Sequence, residues 1–239
     1  MMRGVVNKRT MKGMTRIFAN RHQAGQVLAA SLARYAGRSD AVVLGLPRGG
    51  VPVAYEVARS LDLPLDVFLV LKLGAPGQPE LALGAVAGKG LCVLNDEVVR
   101  ALGVSKDEIY AAARHDFPEL ARRERAYRGE RSPVEVARKT AILVDDGLAT
   151  GASMRAAIQA LRGSEPARIV AAVPVAPAKA CSEVSEAADE TVCAVTPEDF
   201  ASVGMWYQDF SATSEAEVRG LLELAWHERT ARRQGQAGS

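Results

Sequence analysis

The sequence predicts an α/β fold in which helices cover a doubly wound parallel sheet. Short apolar runs with strand spacing alternate with longer segments of helical spacing, which is the pattern of consecutive βαβ units. Alanine and valine are abundant and only 5% of the 239 residues are aromatic, a composition that suits a buried parallel sheet. Ligands of such sheets bind beyond the carboxyl ends of the strands, so residues there are the first candidates for a functional site.

The first half of the chain contains two strand–helix units followed by a region rich in turn residues. Asn20 to Gln23 has the spacing of a helix cap, and a helix is expected to run from there to Tyr35. The next elements expected are a strand at 41–46, a loop at 47–50, a helix at 51–61, a strand at 65–71 and a hairpin of 81–87 with 91–94. Segment 74–79 holds so many glycines and prolines that no regular element is expected there.

The second half returns to a regular alternation. Ser105 and Glu108 have capping-box spacing and open a helix expected to reach Tyr127, with a shorter helix before it at 96–102. The elements expected after it are strand 141–145, helix 152–162, strand 168–174, helix 178–188, strand 191–195 and a last helix at 214–232. The charge run 122–125 is typical of a solvated helix face, with RNA binding as a lesser alternative.

Length and charge limit the domain organisation and the partners. One domain is expected over 16–233, between a disordered basic arm at 1–15 and a frayed tail at 234–239. The arm holds Met2, Met11 and Met14 besides Met1, so the start codon stays open among these four. A net charge of +2 gives no reason to expect nucleic acid as a partner, and no apolar run has the length of a membrane span.

The cysteines and histidines indicate neither a disulfide framework nor a metal centre. The three cysteines, Cys92, Cys181 and Cys193, form no CxxC pair and are expected to be small buried hydrophobic residues. A cytoplasmic location is the resulting expectation, because thiols stay reduced there. The three histidines are scattered along the chain, so a zinc site is not expected.

The most informative stretch is 140–153, which reads Thr-Ala-Ile-Leu-Val-Asp-Asp-Gly-Leu-Ala-Thr-Gly-Ala-Ser. An apolar strand ends in the carboxylates of Asp145 and Asp146, and a loop of small residues then leads into a helix. Backbone N–H groups and the positive end of the helix dipole favour a phosphate, whereas carboxylates accept hydrogen bonds from sugar hydroxyls. The stretch therefore predicts a site for a phosphorylated sugar. A magnesium site of a receiver domain or of a haloacid-type hydrolase would explain the acidic pair but not the residues that follow it.

Two further polar clusters fall at predicted strand ends. Pro47-Arg-Gly-Gly50 follows the first strand, and Lys72 follows the second. The Pro-Arg-Gly-Gly sequence alone is typical of a plain turn, and Lys72 alone fits a surface charge as well as a ligand contact. Because the carboxyl ends of parallel strands meet at one edge of the sheet, Arg48, Lys72 and the acidic pair are expected to face the same ligand.

Residues 142–153, Ile-Leu-Val-Asp-Asp-Gly-Leu-Ala-Thr-Gly-Ala-Ser, resemble the 5-phosphoribosyl pyrophosphate (PRPP) motif of the type I phosphoribosyltransferases. Residues 44–52, Leu-Gly-Leu-Pro-Arg-Gly-Gly-Val-Pro, are similar to the pyrophosphate loop of the same family. The stretch 18–222, including its tail 204–214, is similar to a group of bacterial phosphoribosyltransferase-domain proteins. The resemblance implies a parallel core sheet with a small hood subdomain, which we assign to the N-terminal residues and 196–210.

The resemblance also implies a role for each residue of the two motifs. Asp145 and Asp146 would bind the ribose hydroxyls of PRPP, and Arg48, Gly49 and Gly50 would hold its pyrophosphate, often with a strained non-proline peptide in that loop. The loop and helix start that would cradle the 5′-phosphate comprise Gly147, Ala149, Thr150, Gly151, Ala152 and Ser153. Mg²⁺ would bridge pyrophosphate and ribose oxygens, with the two aspartates as mainly indirect ligands through PRPP and water. Lys72 would reach the leaving group or the 5′-phosphate.

The activity implied is transfer of the 5-phosphoribosyl group of PRPP to a nucleobase or similar nitrogenous acceptor, with release of pyrophosphate. Ala149 stands where some purine-base enzymes of the family have an aspartate that acts as a base. Glu80 is a weak substitute, provided that segment 74–80 closes as a lid. A regulatory protein that senses PRPP or a nucleotide on the same fold is therefore the alternative. The sequence does not name the acceptor, and a homodimer is compatible with the fold.

Overall fold

Helices and strands alternate along the chain, which a computed structural model describes for residues 18–75, 78–88, 91–94 and 96–237. The strands are β1 (Ala41–Gly45), β2 (Leu65–Val67), β3 (Val70–Ala75), β4 (Gln78–Ala87), β5 (Leu91–Leu94), β6 (Thr140–Val144), β7 (Arg168–Val175) and β8 (Glu190–Val195). The helices are α1 (Arg21–Ser31), α2 (Gly50–Leu61), α3 (Asp96–Leu102), α4 (Lys106–Arg128), α5 (Ala152–Arg162), α6 (Ala178–Ala187) and α7 (Glu215–Ala237). The predicted basic arm at 1–15 lies outside the described residues.

The central sheet has five parallel strands in the order β2-β1-β6-β7-β8. From β1 the chain proceeds outward to β2 on one side, whereas from β6 it proceeds through β7 to β8 on the other. The strand order therefore reverses between β1 and β6, which makes this pair the switch point of a doubly wound sheet. The predicted fold class is confirmed.

Apolar residues on both faces of the central sheet explain why helices cover it on each side. In β1, Val42 and Leu44 pack against Met154 of α5 within one buried cluster. Val43, which points to the opposite face, packs in a second cluster with residues of α1 and α2, among them Val53. Consecutive strand residues point to opposite faces, so a strand covered on both sides is apolar throughout rather than alternating.

A second sheet, which the sequence did not predict in this form, lies between β2 and β6 in the chain. Its strands β3, β4 and β5 are antiparallel, and its buried residues pack against Ile109 and Ala113 of α4. The predicted strand 65–71 is wrong as a single element, because β2 belongs to the parallel sheet and β3 to the antiparallel one. Segment 74–79, predicted to be irregular, contains the end of β3 and the start of β4. Packing of β3 and β4 on α4 outweighs the turn-forming tendency of the glycines and prolines there.

The N-terminal residues and segment 196–210, which we assigned to the hood, do pack against each other. Phe18 forms a parallel bridge with Tyr207, and Gln208 N donates a hydrogen bond to the carbonyl of Phe18 at 2.8 Å. Phe18 and Tyr207 are buried beside Phe200 and Trp206, as expected for packing residues. The antiparallel sheet with α3 and α4 forms an additional subdomain. Which of the two parts contacts an acceptor stays a prediction.

Two cysteines differ from the sequence prediction. Cys181 of α6 and Cys193 of β8 are buried as expected, but they form a disulfide with their Cα atoms 6.7 Å apart. The sequence analysis looked for CxxC pairs, and this pair has no such spacing. The two cysteines meet because α6 packs on β8. The cytoplasmic location was expected because the cysteines were expected to stay reduced. The disulfide removes that reason, so the location stays a prediction. Cys92 is free and exposed.

The C-terminal helix is longer than predicted. It continues to Ala237, through residues 234–237 that the sequence placed in a frayed tail, while residues 238–239 lie outside the described part. Within the described residues, none of the helices combines the length and the apolar character needed to cross a membrane.

Candidate active site at the switch point

The loops after β1 and β6 lie side by side at the switch point. Gly45 pairs with Val144 at the strand ends, and Leu46 N donates a hydrogen bond to the carbonyl of Val144 at 2.8 Å. A Cβ atom at Gly50 would lie 2.7 Å from that carbonyl oxygen and 2.8 Å from the Cα of Asp145. Glycine at position 50 therefore lets the first loop approach the acidic pair. The peptide bond between Pro47 and Arg48 in this loop is cis.

The second loop presents the start of α5 to the same edge. Gly151 has a φ of +71°, a left-handed conformation that favours glycine, and it immediately precedes α5. Gly151 has no side chain that could cap the helix, and Ala152 N donates a long hydrogen bond to Thr150 Oγ1, so the N–H groups that follow in the first turn of α5 remain available as donors to an anion. Of the two predicted hydroxyls, that of Thr150 lies 3.4 Å from Ala152 N, and Ser153 follows in the first turn.

The two neighbouring aspartates have different surroundings. Asp145 lines a cavity, and its Oδ1 accepts a hydrogen bond from Asp146 N at 2.8 Å. Burial, together with the neighbouring carboxylate of Asp146, raises the pKa of Asp145 well above its ordinary value. Burial also raises the pKa of Asp146, although the hydrogen bond from Arg21 opposes this rise. Asp145 is therefore the carboxylate that lines the cavity, whereas Asp146 is paired with Arg21.

Asp146 is contacted by residues of α1 and of the segment before α7. Its Oδ2 accepts a hydrogen bond from Arg21 Nε at 2.9 Å in an ion pair whose side chains are 11% and 15% exposed. Arg21 also donates to the carbonyl of Ser211 at 2.7 Å and lies 4.0 Å from the ring centroid of Phe210. The hydroxyl of Tyr207 donates to the carbonyl of Asp146 at 2.5 Å. Because burial raises the pKa of Tyr207, this hydroxyl stays protonated and remains a donor.

A cavity of about 520 Å³ opens beside the switch point. Four predicted site residues from the two loops and α5 line it, namely Arg48, Asp145, Ala152 and Ser153. The other predicted residues of the two motifs, Gly49, Gly50, Gly147, Ala149, Thr150 and Gly151, lie in the same two loops or directly beside them. The volume is that of an ordinary small-molecule site. The predicted convergence of the two motifs on one edge of the sheet is thus observed.

Lys72 and Glu80 do not lie where the sequence placed them. Lys72 is in the middle of β3, opposite Ala85, and not at the end of a parallel strand. Glu80 belongs to β4 and not to an irregular lid. Both residues were placed from the pattern of their immediate neighbours in the sequence. That pattern does not show that β3 pairs with β4, so both placements were wrong. Their proposed roles stay predictions.

Three residues of the cavity were missed by the sequence analysis. They are Arg123 and Tyr127 of α4 and Glu215, the first residue of α7. We predicted that run 122–125 is a solvated face, and the side chain of Arg123 is indeed 41% exposed, but it also lines the cavity, which the sequence analysis did not foresee. Leu120, Arg123 and Tyr127 are three and four residues apart and therefore share one helix face, of which Leu120 and Tyr127 are each only 2% exposed. That periodicity is the signal that would have found Arg123.

The carboxylates of the site are compatible with a magnesium ion that takes most of its ligands from a bound phosphate compound and water. Among the described residues, no group of three or more His, Cys, Asp or Glu side chains is placed to hold a metal ion. The site offers two adjacent carboxylates, of which Asp145 lines the cavity. Magnesium commonly takes one or two carboxylates and completes its octahedron with phosphate oxygens and water, so this sparse set is compatible with it.

Comparison with known proteins identifies the family. The model of the phosphoribosyl transferase domain matches residues 13–208. Two provisionally named phosphoribosyl transferases of Mycobacterium tuberculosis, from strains CDC 1551 and H37Rv, are each 45% identical over 210 residues, which covers 88% of this chain and 47% of theirs. The chain thus spans about half the length of these curated relatives. The crystal structure of TT1426 from Thermus thermophilus is 43% identical with a TM-score of 0.79, covering 86% of this chain and 97% of that one. This chain therefore belongs to the phosphoribosyl transferase domain family.

Proposed function

We propose that the protein transfers the 5-phosphoribosyl group of PRPP to a nucleobase or similar nitrogenous acceptor and releases pyrophosphate, with Mg²⁺ as cofactor. The observation that carries the proposal is the single cavity lined by Arg48 of the first loop, Asp145 of the second and Ser153 at the start of α5. A guanidinium, a carboxylate and a helix N-terminus match the pyrophosphate, the sugar hydroxyls and the 5′-phosphate of one ligand.

Each part of the site would hold a different part of PRPP. The N–H groups at the start of α5, with the hydroxyls of Thr150 and Ser153, would bind the 5′-phosphate, because they are donors at the positive end of a helix dipole. The carboxylate of Asp145 would accept hydrogen bonds from ribose hydroxyls. Arg48 and the backbone around Gly49 and Gly50 would hold the pyrophosphate.

The chemistry that these residues support is displacement at the sugar C1. The bond from C1 to the pyrophosphate oxygen breaks with its electron pair leaving on that oxygen, while the acceptor nitrogen forms the new bond. The sugar passes through an oxocarbenium-like state, as in glycosyl transfer generally. Arg48 would stabilise the charge that gathers on the leaving group, and ionised Asp145 would orient the ribose and balance charge on its ring. Bound Mg²⁺ would supply further charge neutralisation at the pyrophosphate.

Ala149 limits the class of acceptor. It carries no carboxylate, so the acceptor nitrogen has to lose its proton without a base at that position. We expect the proton to pass to solvent or to another group near the cavity, and an acceptor that is already a good nucleophile suits this arrangement.

PRPP-dependent release of pyrophosphate tests the proposal. We expect the wild type with Mg²⁺ to release pyrophosphate only when a suitable member of a panel of purine and pyrimidine bases is added. Asp145→Asn and Arg48→Gln should each lower the rate by roughly 100-fold or more, since both remove a charge placed to act in the transition state. Asp107→Asn, which alters an exposed carboxylate at the start of α4, is the control and should leave the rate unchanged. Pyrophosphate release that does not depend on any acceptor would indicate hydrolysis and contradict the proposal.

A further inference from the structure

The cavity has a wall that neither sequence motif supplies. It is formed by α4 and α7 through Arg123, Tyr127 and Glu215, which line the same cavity as Arg48 and Asp145. Arg123 and Tyr127 belong to α4, the helix of the additional subdomain that also packs on β3 and β4. A ligand held by the two loops would therefore be exposed to side chains of α4 on its other side.

Two guanidinium groups of the cavity have unused donors. Within the described residues, the guanidinium of Arg48 makes no hydrogen bond or ion pair, and the residue is exposed. Arg123 is hydrogen-bonded there only through Nε, which donates to Glu119 Oε1 at 2.7 Å, so its terminal amino groups make no hydrogen bond. Guanidinium groups with free N–H forks are the protein's best partners for phosphate oxygens, which they contact in pairs.

Tyr127 lies close to both arginines. Its side chain is buried, and within the described residues its hydroxyl makes no hydrogen bond. Burial and the charge of Glu215 raise the pKa of Tyr127, while Arg123 and Arg48 act in the opposite direction. Tyr127 lines the same cavity as Arg123 and Arg48, and its hydroxyl stays protonated as a donor. Arg48, Arg123 and Tyr127 thus offer hydrogen-bond donors to this part of the cavity, where, among the described residues, Glu215 is the one acidic side chain of the wall formed by α4 and α7.

We propose that Arg123 and Tyr127 of α4 form the second half of the subsite for the diphosphate of PRPP, opposite Arg48. The inference rests on the proposed function, because it assumes that PRPP occupies this cavity. When the C1–O bond breaks, the electron pair passes to the diphosphate oxygen, and donors on both sides of the leaving group stabilise the added charge. Arg123 and Tyr127 then act on the leaving group, while the 5′-phosphate end depends on α5 alone.

Arg122 provides a matched control for Arg123. It is the preceding residue on the same helix and contacts the same carboxylate, Glu119, at 2.8 Å. Unlike Arg123 it does not line the cavity, and its side chain is 55% exposed. Arg122 also lies 3.6 Å from Glu215 of the cavity wall, so Arg122→Gln removes the same charge from the same helix while it keeps both arginines that line the cavity.

Calorimetric titration of the full chain with three probes in the presence of Mg²⁺ tests the proposal. The probes are PRPP, inorganic pyrophosphate and ribose 5-phosphate. We expect Arg123→Gln to weaken binding of PRPP and pyrophosphate by roughly tenfold to a hundredfold, as for loss of hydrogen bonds between charged groups. Ribose 5-phosphate should bind Arg123→Gln as it binds the wild type, and Arg122→Gln should bind all three probes unchanged. Arg123→Lys, which keeps the charge but loses the planar fork, should fall between Arg123→Gln and the wild type.

Tyr127→Phe is a second variant that tests the same subsite in case substitution of Arg123 disturbs folding. The substitution preserves the ring that packs against Leu120 and Leu222 and removes only the hydroxyl. We expect roughly fivefold weaker binding of pyrophosphate, as for a neutral donor to a charged acceptor, with the thermal unfolding midpoint close to that of the wild type.

Four outcomes would overturn the inference. Arg123→Gln and Tyr127→Phe could both bind pyrophosphate as the wild type does, or Arg122→Gln could bind it as weakly as Arg123→Gln does. An equal loss for ribose 5-phosphate would show that α4 acts on the whole site, and a changed KM for the acceptor with unchanged pyrophosphate binding would assign Arg123 to the acceptor. In each of these cases the wild type still binds PRPP, so the proposed function stands. Failure of the wild type to bind PRPP would overturn both.

Discussion

Asp145 and Asp146 are adjacent in the sequence, yet the structure gives them different tasks. Asp146 is held in an ion pair by Arg21, whereas Asp145 faces the cavity and has no cationic side chain hydrogen-bonded to it within the described residues. A partly buried carboxylate without such a partner costs folding free energy. In the proposed reaction an ionised carboxylate at this point would bind the ribose, which would account for its presence.

The first prediction at the scale of single residues is that Asp145→Asn stabilises the protein at neutral and alkaline pH while it weakens binding of PRPP. The asparagine can still accept the hydrogen bond from Asp146 N through its carbonyl oxygen, so the local geometry is kept. The gain in the free energy of unfolding should be on the order of 1 kcal/mol at pH 8, since a charge is removed from a partly buried position. Thermal unfolding of both proteins across pH 4 to 9 measures it.

The sign of the pH dependence follows from the raised pKa of Asp145. The folded state binds this proton more tightly than the unfolded chain, whose ordinary value is 3.8. The contribution of Asp145 to stability is therefore complete below that value and is lost as the pH rises through the raised pKa of the folded state. The advantage of Asp145→Asn over the wild type should grow with pH across this window. A constant difference between the two proteins at every pH would contradict the account.

At the scale of elements, the two motif-bearing units could be predicted from sequence, but the region between them could not. Local periodicity and the glycines of the following loops were enough to predict the strand at 41–46 and the stretch 140–153. Segment 65–94 is different, because β2 pairs with β1 while β3 pairs with β4, and an apolar run does not say which sheet it joins. Arg123 was missed for a related reason, since a run of charges does not show which of its members lines a cavity.

The disulfide between α6 and β8 is a second feature that local patterns did not predict. Cys181 and Cys193 are only 12 residues apart, but they meet because α6 folds back onto β8. A loop of this size restricts the unfolded chain by an amount worth about 2–3 kcal/mol. Reduction of the wild type should therefore lower its free energy of unfolding by about that amount, measured in urea with and without dithiothreitol.

Two controls make the disulfide prediction specific. Cys92→Ser removes the exposed free thiol and should leave the effect of the reductant unchanged. Cys181→Ser should unfold at the same urea concentration with and without reductant. Titration of the denatured, non-reduced wild type should find one thiol. Three thiols, with one unfolding curve in both conditions, would show that the pair is not bonded in solution.

At the scale of the whole molecule, the position of the site follows from the topology. The strand order reverses between β1 and β6, so their carboxyl ends leave a crevice that no neighbouring crossover covers. The loops at that crevice carry the two motifs, and α4 and α7 close it from outside the sheet. The sequence alone predicted the two loops on one edge, whereas the closing wall depends on how the additional subdomain packs. All three parts therefore contribute to the cavity in which we propose that PRPP binds.

The central claim is that these two loops bind PRPP, and isothermal titration calorimetry with PRPP and Mg²⁺ tests it most directly. The account predicts that the wild type binds PRPP and that Asp145→Asn/Asp146→Asn weakens binding by roughly 100-fold, through loss of hydrogen bonds from the ribose hydroxyls to two carboxylates. Asp107→Asn should bind as the wild type does. Absence of binding by the wild type, or unchanged binding by the folded double variant, would contradict it.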